Sequence, residues 1–197
     1  MSPHHRQSDI VKALGWFTIV FLLYQNALSQ DIEPRRWSPI PLGTHVLGTG
    51  YSFTSGDVFF DPLLQAEDVK IKAHSLAVSF VQPFKVKNKL ANISLFVPFS
   101  AADWSGLLSG EPAGVNRTGF ADPRIRFSVL LAGPLAGNAL ELRQYRIDNP
   151  TSTTVGVSLA VTIPLGEYFE DKLLNLGGNR FVFRPQVGMI HYWGTWS

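Results

Sequence analysis

The sequence predicts an all-β chain: an antiparallel up-and-down transmembrane β-barrel, present here as an incomplete, open barrel of about six strands, behind an N-terminal signal peptide. Three observations lead there. Apolar residues recur at every second position in several separate segments, the positions between them are small or weakly polar, and the N-terminus has the layout of an export signal.

The export signal comes first in the chain. Arg6 and Lys12 lead into an apolar run over residues 13–24, and the small residues Ala27 and Ser29 follow it. The run is shorter than the roughly 20 residues a spanning helix requires. Cleavage is expected after Ser29, which divides the chain into a signal peptide, residues 1–29, and one barrel domain, residues 30–197. No later stretch is long and apolar enough for a membrane helix, so a chain that crosses a membrane would do so with strands.

Composition agrees with an unusual surface. Hydrophobic residues make up 45% of the chain and charged ones 16%, against about a quarter charged in an ordinary soluble domain. Residues 1–29 carry Arg6, Lys12 and Asp9, and the remainder is close to charge balance, which gives no electrostatic footprint for nucleic acid. The absence of cysteine excludes disulfides, thiolate metal sites, a cysteine nucleophile and a lipid-bearing cysteine.

The clearest strand lies within 153–165, where Val155, Val157, Leu159, Val161, Ile163 and Leu165 alternate with Thr154, Gly156, Ser158, Ala160, Thr162 and Pro164. The same design recurs with Ile93, Leu95, Val97 and Phe99, and with Ile125, Phe127, Val129 and Leu131. Weaker repeats centre on Leu47, Tyr51 and Phe53, on Leu76, Val78 and Phe80, and on Phe181, Phe183, Val187 and Met189. Alternation alone also suits a soluble barrel. The second face decides in favour of a membrane barrel, because it holds Gly, Ser, Ala and Thr where a wetted face would show Lys, Glu and Asp.

Loop lengths are expected to alternate, with long connections at 55–68, 101–121 and 166–179 and short ones at 83–89 and 192–195. The stretch 133–152 breaks the pattern and carries a helical turn at 139–145.

Arg124, Arg126, Arg180 and Arg184 fall on the non-apolar face, and with Ser158 and Thr162 they are the candidate lumen-lining residues. Trp104, Tyr168, Tyr192, Trp193 and Trp196 sit near strand ends and are candidates for the aromatic girdle of a membrane barrel. No catalytic residue is assigned and the chain is read as no enzyme: no serine occupies a Gly-x-Ser-x-Gly elbow, and Gly48-Thr-Gly50 lacks the rest of a nucleotide fingerprint. His45, His74 and His191 lack metal-ligand spacing, so no metal and no cofactor is expected. The acids of 57–68 and 167–171 match no calcium loop and read as solvated loop surface.

Several phrases carry a family resemblance: Glu33-Pro-Arg-Arg-Trp37, Thr54-Ser-Gly-Asp-Val58, Asp103-Trp-Ser-Gly106, Arg117-Thr-Gly-Phe-Ala-Asp-Pro-Arg124 and Pro164-Leu-Gly-Glu-Tyr168. Together they resemble the meta-pathway phenol-degradation family, a group of predicted outer-membrane β-barrels often labelled transporters. The resemblance runs over residues 31–197. It implies a barrel of the Gram-negative outer membrane, with membrane lipid and a small-molecule permeant as partners, and no defined substrate. Members of that family continue with further strands, so an open sheet is expected, with the 43–54 strand at one free edge and the segment after Asn179 at the other. The function that follows is a passive channel or uptake protein for small molecules, with aromatic or apolar compounds as candidates. A soluble periplasmic or secreted barrel holding an apolar ligand, and a barrel enzyme, are the alternatives.

Overall fold

The structure is a computed structural model that describes residues 36–194. The expected signal peptide, residues 1–29, and Trp196 lie outside the described residues. From Trp37 onward the chain belongs to one unit. Seven strands follow in order: β1 (Val46–Val58), β2 (Ala66–Val86), β3 (Lys89–Leu108), β4 (Glu111–Phe120), β5 (Arg124–Ala132), β6 (Thr151–Thr162) and β7 (Val182–Trp193). One helix, α1 (Ala139–Asp148), stands between β5 and β6. The chain is all-β, and its sheet is an open, antiparallel half-barrel.

The sheet order is β1-β2-β3-β5-β6-β7, with β4 paired to the far half of β3. β4 and β5 therefore form one interrupted strand along β3. Phe99 faces Phe120 and Phe96 faces Arg124, so Ala121, Asp122 and Pro123 stand against two residues of β3. The cause is local: Pro123 has no N–H to give the ladder, and the extra residue is absorbed as a bulge. The two outer edges belong to β1 and β7, and among the described residues they pair only with β2 and β6.

The connections correct two sequence expectations. The long loop at 101–121 is instead a hairpin of β3 and β4, closed by Ser109 and Gly110, both in the left-handed region at φ 53° and 82°. That is the backbone a two-residue hairpin turn demands, and glycine supplies it without strain. The loop expected at 55–68 shrinks to a short connection containing the 3₁₀ turn Pro62–Leu64, because β1 and β2 run further than the alternation showed. The long connections are 133–150, which holds α1, and 163–181. Helix α1 starts with a capping box, in which Asn138 Oδ1 accepts from the Leu140 and Glu141 amides and Glu141 accepts from the Asn138 amide. None of its residues is buried, so caps and end contacts hold it together with the packing of half-buried Leu142 on the Trp37 cluster.

Registers fix which side chains share a face. On β6, Thr154, Gly156, Ser158 and Ala160 are buried, whereas the alternating Val155, Val157, Leu159 and Val161 are not. Their partners Arg126, Ser128, Arg184, Gln186 and Gly188 lie on the same inner face. At one end of that face Trp37 packs with Leu90 and Leu130, flanked by Leu42, Leu142 and Ile190. The indole lies flat over paired glycines: a Cβ added at Gly156 or Gly188 would run into the Trp37 ring. Backbone bonds from the Leu42 amide to the Gly137 carbonyl (2.9 Å) and from the Ala136 amide to the Asn88 carbonyl (3.1 Å) hold this end together.

This arrangement makes a direct prediction. Replacing Gly156 or Gly188 with alanine should displace the Trp37 indole and cost about 1–3 kcal/mol, the usual range for overpacking. Urea unfolding followed by tryptophan fluorescence reads both effects. Gly50→Ala, where nothing lies within 4 Å of an added Cβ, is the control with little change.

Candidate functional site

The inner face has three zones along the strands. The Trp37 cluster fills the first. The second is polar: Arg126 and Arg184 flank Ala160, with Arg124 opposite Thr162 one step along and Ser158 one step the other way. Arg126 is only 8% exposed, and Ala160, at 1%, leaves room between the two long side chains. The Arg124 guanidinium sits 5.2 Å from the centre of the Phe96 ring beside it. Ser158 donates to Gln186 (3.3 Å), and Ser75 and Ser100 share a 2.8 Å hydrogen bond.

The third zone is apolar. Val69, Ala102 and Trp104 form a buried cluster, with Ile71, Val115, Leu174 and Leu176 packed on it. Leu174 and Leu176 come from the 163–181 loop, which folds over this end of the inner face. The loop is tied to the β4–β5 break by Asp122, whose two carboxylate oxygens accept from the Gly166 amide (2.8 Å) and the Gly178 amide (2.7 Å). Backbone bonds from Glu167 to the Phe120 carbonyl (2.8 Å) and from Gly177 to the Glu167 carbonyl (2.9 Å) complete the anchor. The glycines are required by proximity: a Cβ on Gly166 would stand 2.7 Å from the Asp122 amide nitrogen, and one on Gly177 2.9 Å from Gly166. Arg117 adds a further tie, its Nε donating to the Leu174 carbonyl (3.2 Å) while its guanidinium lies 5.1 Å from the Phe169 ring centre. In the exposed part of the loop, the Lys172 ammonium lies 2.6 Å from Asp171 and holds that carboxyl below its ordinary range.

Beneath the loop lies a cavity of about 130 Å³, walled mainly by Phe60, Val69, Trp104, Val115 and Leu174, with Arg117 and Lys172 as its charged lining. A second cleft of about 350 Å³ lies at the Trp37 end, beside α1 and Tyr192.

The outer face carries the reverse pattern. Leu76, Val78 and Phe80 on β2, Ile93, Leu95 and Phe99 on β3, and Phe127 and Leu159 on β5 and β6 are all exposed. The apolar stretch ends abruptly along one row of registered partners, Ser55–Lys72–Asp103–Asn116. Just below this row stands an aromatic group: Tyr51 Oη is 2.7 Å from His74 Nδ1, Phe53 packs on His74, and Phe99 meets Phe120 edge to face at 5.2 Å.

The sequence candidates divide accordingly. Arg124, Arg126, Arg184, Ser158 and Thr162 share the inner face. Arg180 does not: it precedes β7 and is exposed at the end of the loop. Trp193 lies on the outer face, edge to face with His191 at 4.5 Å, and Tyr168 is in the loop. Trp104 and Tyr192 are corrections. Trp104 is buried on the inner face, because strand alternation sends it opposite Asp103. Tyr192 also points inward, its hydroxyl 3.5 Å from Ser38 and its ring 3.7 Å from the Arg146 guanidinium. Sequence reasoning missed Trp37, Arg117 and Asp122. Asp122 carried no local signal, since the glycines whose amides it accepts, Gly166 and Gly178, lie 44 and 56 residues along the chain. Among the described residues no three His, Cys, Asp or Glu side chains gather as a metal site.

A half-barrel with small and polar residues inside and an apolar outer band defines the class: a β-barrel wall. The family model described as "Putative MetA-pathway of phenol degradation" matches residues 63–197, and the chain belongs to that family. Comparison with the curated proteins and with the solved structures gave no match.

The anchor yields a second prediction. Asp122→Ala removes two hydrogen bonds to a charged acceptor, each worth about 1.5–3 kcal/mol, and should free the 163–181 loop while the sheet persists. Limited trypsin digestion should then cut after Lys172 at least ten times faster than in the parent chain, with the circular dichroism unchanged. An unaltered digestion rate would show that the backbone bonds alone hold the loop.

Proposed function

We propose that the chain forms the wall of a β-barrel in the bacterial outer membrane and serves as a passive route for small molecules. The observation that carries this reading is the height of the apolar outer band. It spans about eleven residues on both β2 (74–84) and β3 (91–101), between registered pairs His74–Ala101 and Phe84–Ala91, with Gln82 as the one polar residue of that face between them. A tilted strand needs roughly 9–11 residues to cross the hydrocarbon layer. Beyond the band β2 continues with Lys72 and Lys70 on the same face, as a strand leaving lipid for water would.

The inner face supports a route rather than a solid core, because a lipid-facing band this long leaves the small, serine- and arginine-bearing face as the one facing the barrel interior. The family's link to phenol degradation supports small aromatic or apolar compounds as the cargo. Expressed with its own N-terminus in a Gram-negative host, the chain should remain with the outer-membrane fraction after alkaline extraction. Recovery as a soluble periplasmic protein would reject the reading in favour of a ligand-binding soluble barrel.

The band also predicts a position-dependent cost. Leu95→Arg or Val157→Arg should destabilise the membrane-inserted protein by about 2–4 kcal/mol, because a guanidinium would face the hydrocarbon interior. Asn116→Lys, on the boundary row itself, should cost little. Urea titration in lipid vesicles separates the two cases. Equal effects at both heights would remove the band as a membrane boundary.

A further inference from the structure

The two faces of the sheet exchange character at the Ser55–Lys72–Asp103–Asn116 row. Below it the outer face is mainly apolar, Gln82 on β2 excepted, and the inner face is mainly small or polar as far as the Trp37 cluster. On the row Lys72, Asp103 and Asn116 face outward, as does Lys70 above it, while Ile71, Trp104 and Val115, one residue along the same strands, face inward. The apolar inner surface thus begins where the apolar outer band stops. It is not filled: the loop anchored by Asp122 covers it and leaves the 130 Å³ cavity.

We infer that this cavity is a binding site for one small apolar solute about the size of a single six-membered ring, held at the loop end of the barrel and not at its midplane. Three features specify the occupant. The volume is of the same order as the roughly 150 Å³ of an apolar cavity that takes up benzene, and this pocket is partly open to solvent, which gives a solute a way in. The walls are carbon, from Phe60, Val69, Trp104, Val115 and Leu174, so an unpaired polar group buried among them is penalised. The charged lining consists of Arg117 and of Lys172, the latter paired with Asp171 outside the pocket, so Arg117 is the charge that tolerates a hydroxyl or carboxylate substituent and disfavours an ammonium. The anchored loop is the cover, and Arg117 joins cover to wall through the Leu174 carbonyl.

The site gains its role as a capture point from the proposed barrel function, but the binding itself does not require the chain to cross a membrane. The test uses the full chain in one detergent, with benzyl alcohol, benzoate and benzylammonium as probes and saturation-transfer NMR as the readout. Saturable binding of benzyl alcohol is expected, with benzylammonium at least tenfold weaker. Ala113→Phe, from the cavity wall, should weaken benzyl alcohol at least tenfold, and Leu173→Trp, from the loop side, should do the same if the first variant fails to fold. Arg117→Gln should weaken benzoate by a clearly larger factor than benzyl alcohol, because it removes the lining charge as well as the tie to the Leu174 carbonyl. Absence of saturable binding in the parent chain, or undiminished binding in a folded cavity-filling variant, overturns the site. A chain that binds the probe yet fractionates as a soluble protein keeps the site and loses the barrel function. A membrane-embedded chain with no saturable binding does the reverse.

Discussion

The constraint on which everything else rests is the antiparallel ladder, whose two-residue period assigns every side chain to one face or the other. A slip of one residue would move Leu95, Val97 and Phe99 to the inner face and turn Ser94, Phe96 and Ser100 outward. The ladder holds register over seventeen residues of β3, 89–105, against β2 and shifts only between Glu67 and Lys70. Its second irregularity, at Ala121–Pro123, is put to use: the bulge frees the Asp122 carboxylate from the sheet so that it can receive two amides of a distant loop.

Given fixed faces, the small residues acquire specific roles. Gly156 and Gly188 are registered partners and create the flat floor on which Trp37 lies. Ala160 separates Arg126 from Arg184. The serines pair across strands, as Ser75 does with Ser100, so that buried hydroxyls keep partners without large side chains. A face of this kind is filled by elements brought from elsewhere in the chain: the 37–42 segment at one end and the 163–181 loop at the other. The loop is tied down by backbone and charge-assisted hydrogen bonds, and the 37–42 segment by the packing of Trp37 and Leu42 with a backbone bond from Leu42 to Gly137.

The fold was legible wherever alternation kept one phase. The segments around Leu76–Phe80, Ile93–Phe99, Ile125–Leu131 and Val155–Ile163 all became strands, because an exposed apolar face against a small one is an unambiguous period of two. β4 and the far halves of β2 and β3 were missed for one reason: above the boundary row the apolar positions change parity. Val69 and Ile71 are odd-numbered where Leu76, Val78 and Phe80 are even, and Trp104 is even where Leu95, Val97 and Phe99 are odd. The strand continues while the pattern appears to end. Trp104 was assigned to the outer girdle through the same mistake, since proximity to a strand end says nothing about parity. The inner arginines were legible because they share the band's own phase, but Arg180 was not, since β7 begins only at Val182. Asp122 could not be ranked from sequence at all, because its partners Gly166 and Gly178 are 44 and 56 residues away.

The parity change has a mechanical meaning beyond prediction. A strand cannot rotate its side chains about its axis without breaking the ladder, so a chain that passes from lipid to water must exchange the chemistry of its two faces and not its geometry. Here the exchange is completed within one row on β2, β3 and β4 together, since Asp103 has Lys72 as its partner on one side and Asn116 on the other, and Asn116 donates to Asp103 at 2.6 Å. The hydrogen bond secures the polar side of the boundary, and the aromatic group of Tyr51, Phe53, His74, Phe99 and Phe120 secures the apolar side. On the proposed membrane reading, this same step moves the apolar surface from the outside of the wall to the inside. An apolar solute arriving from the loop end would then meet a matching surface before reaching the serine and arginine zone, and binding and passage would depend on different residues at different heights of one sheet.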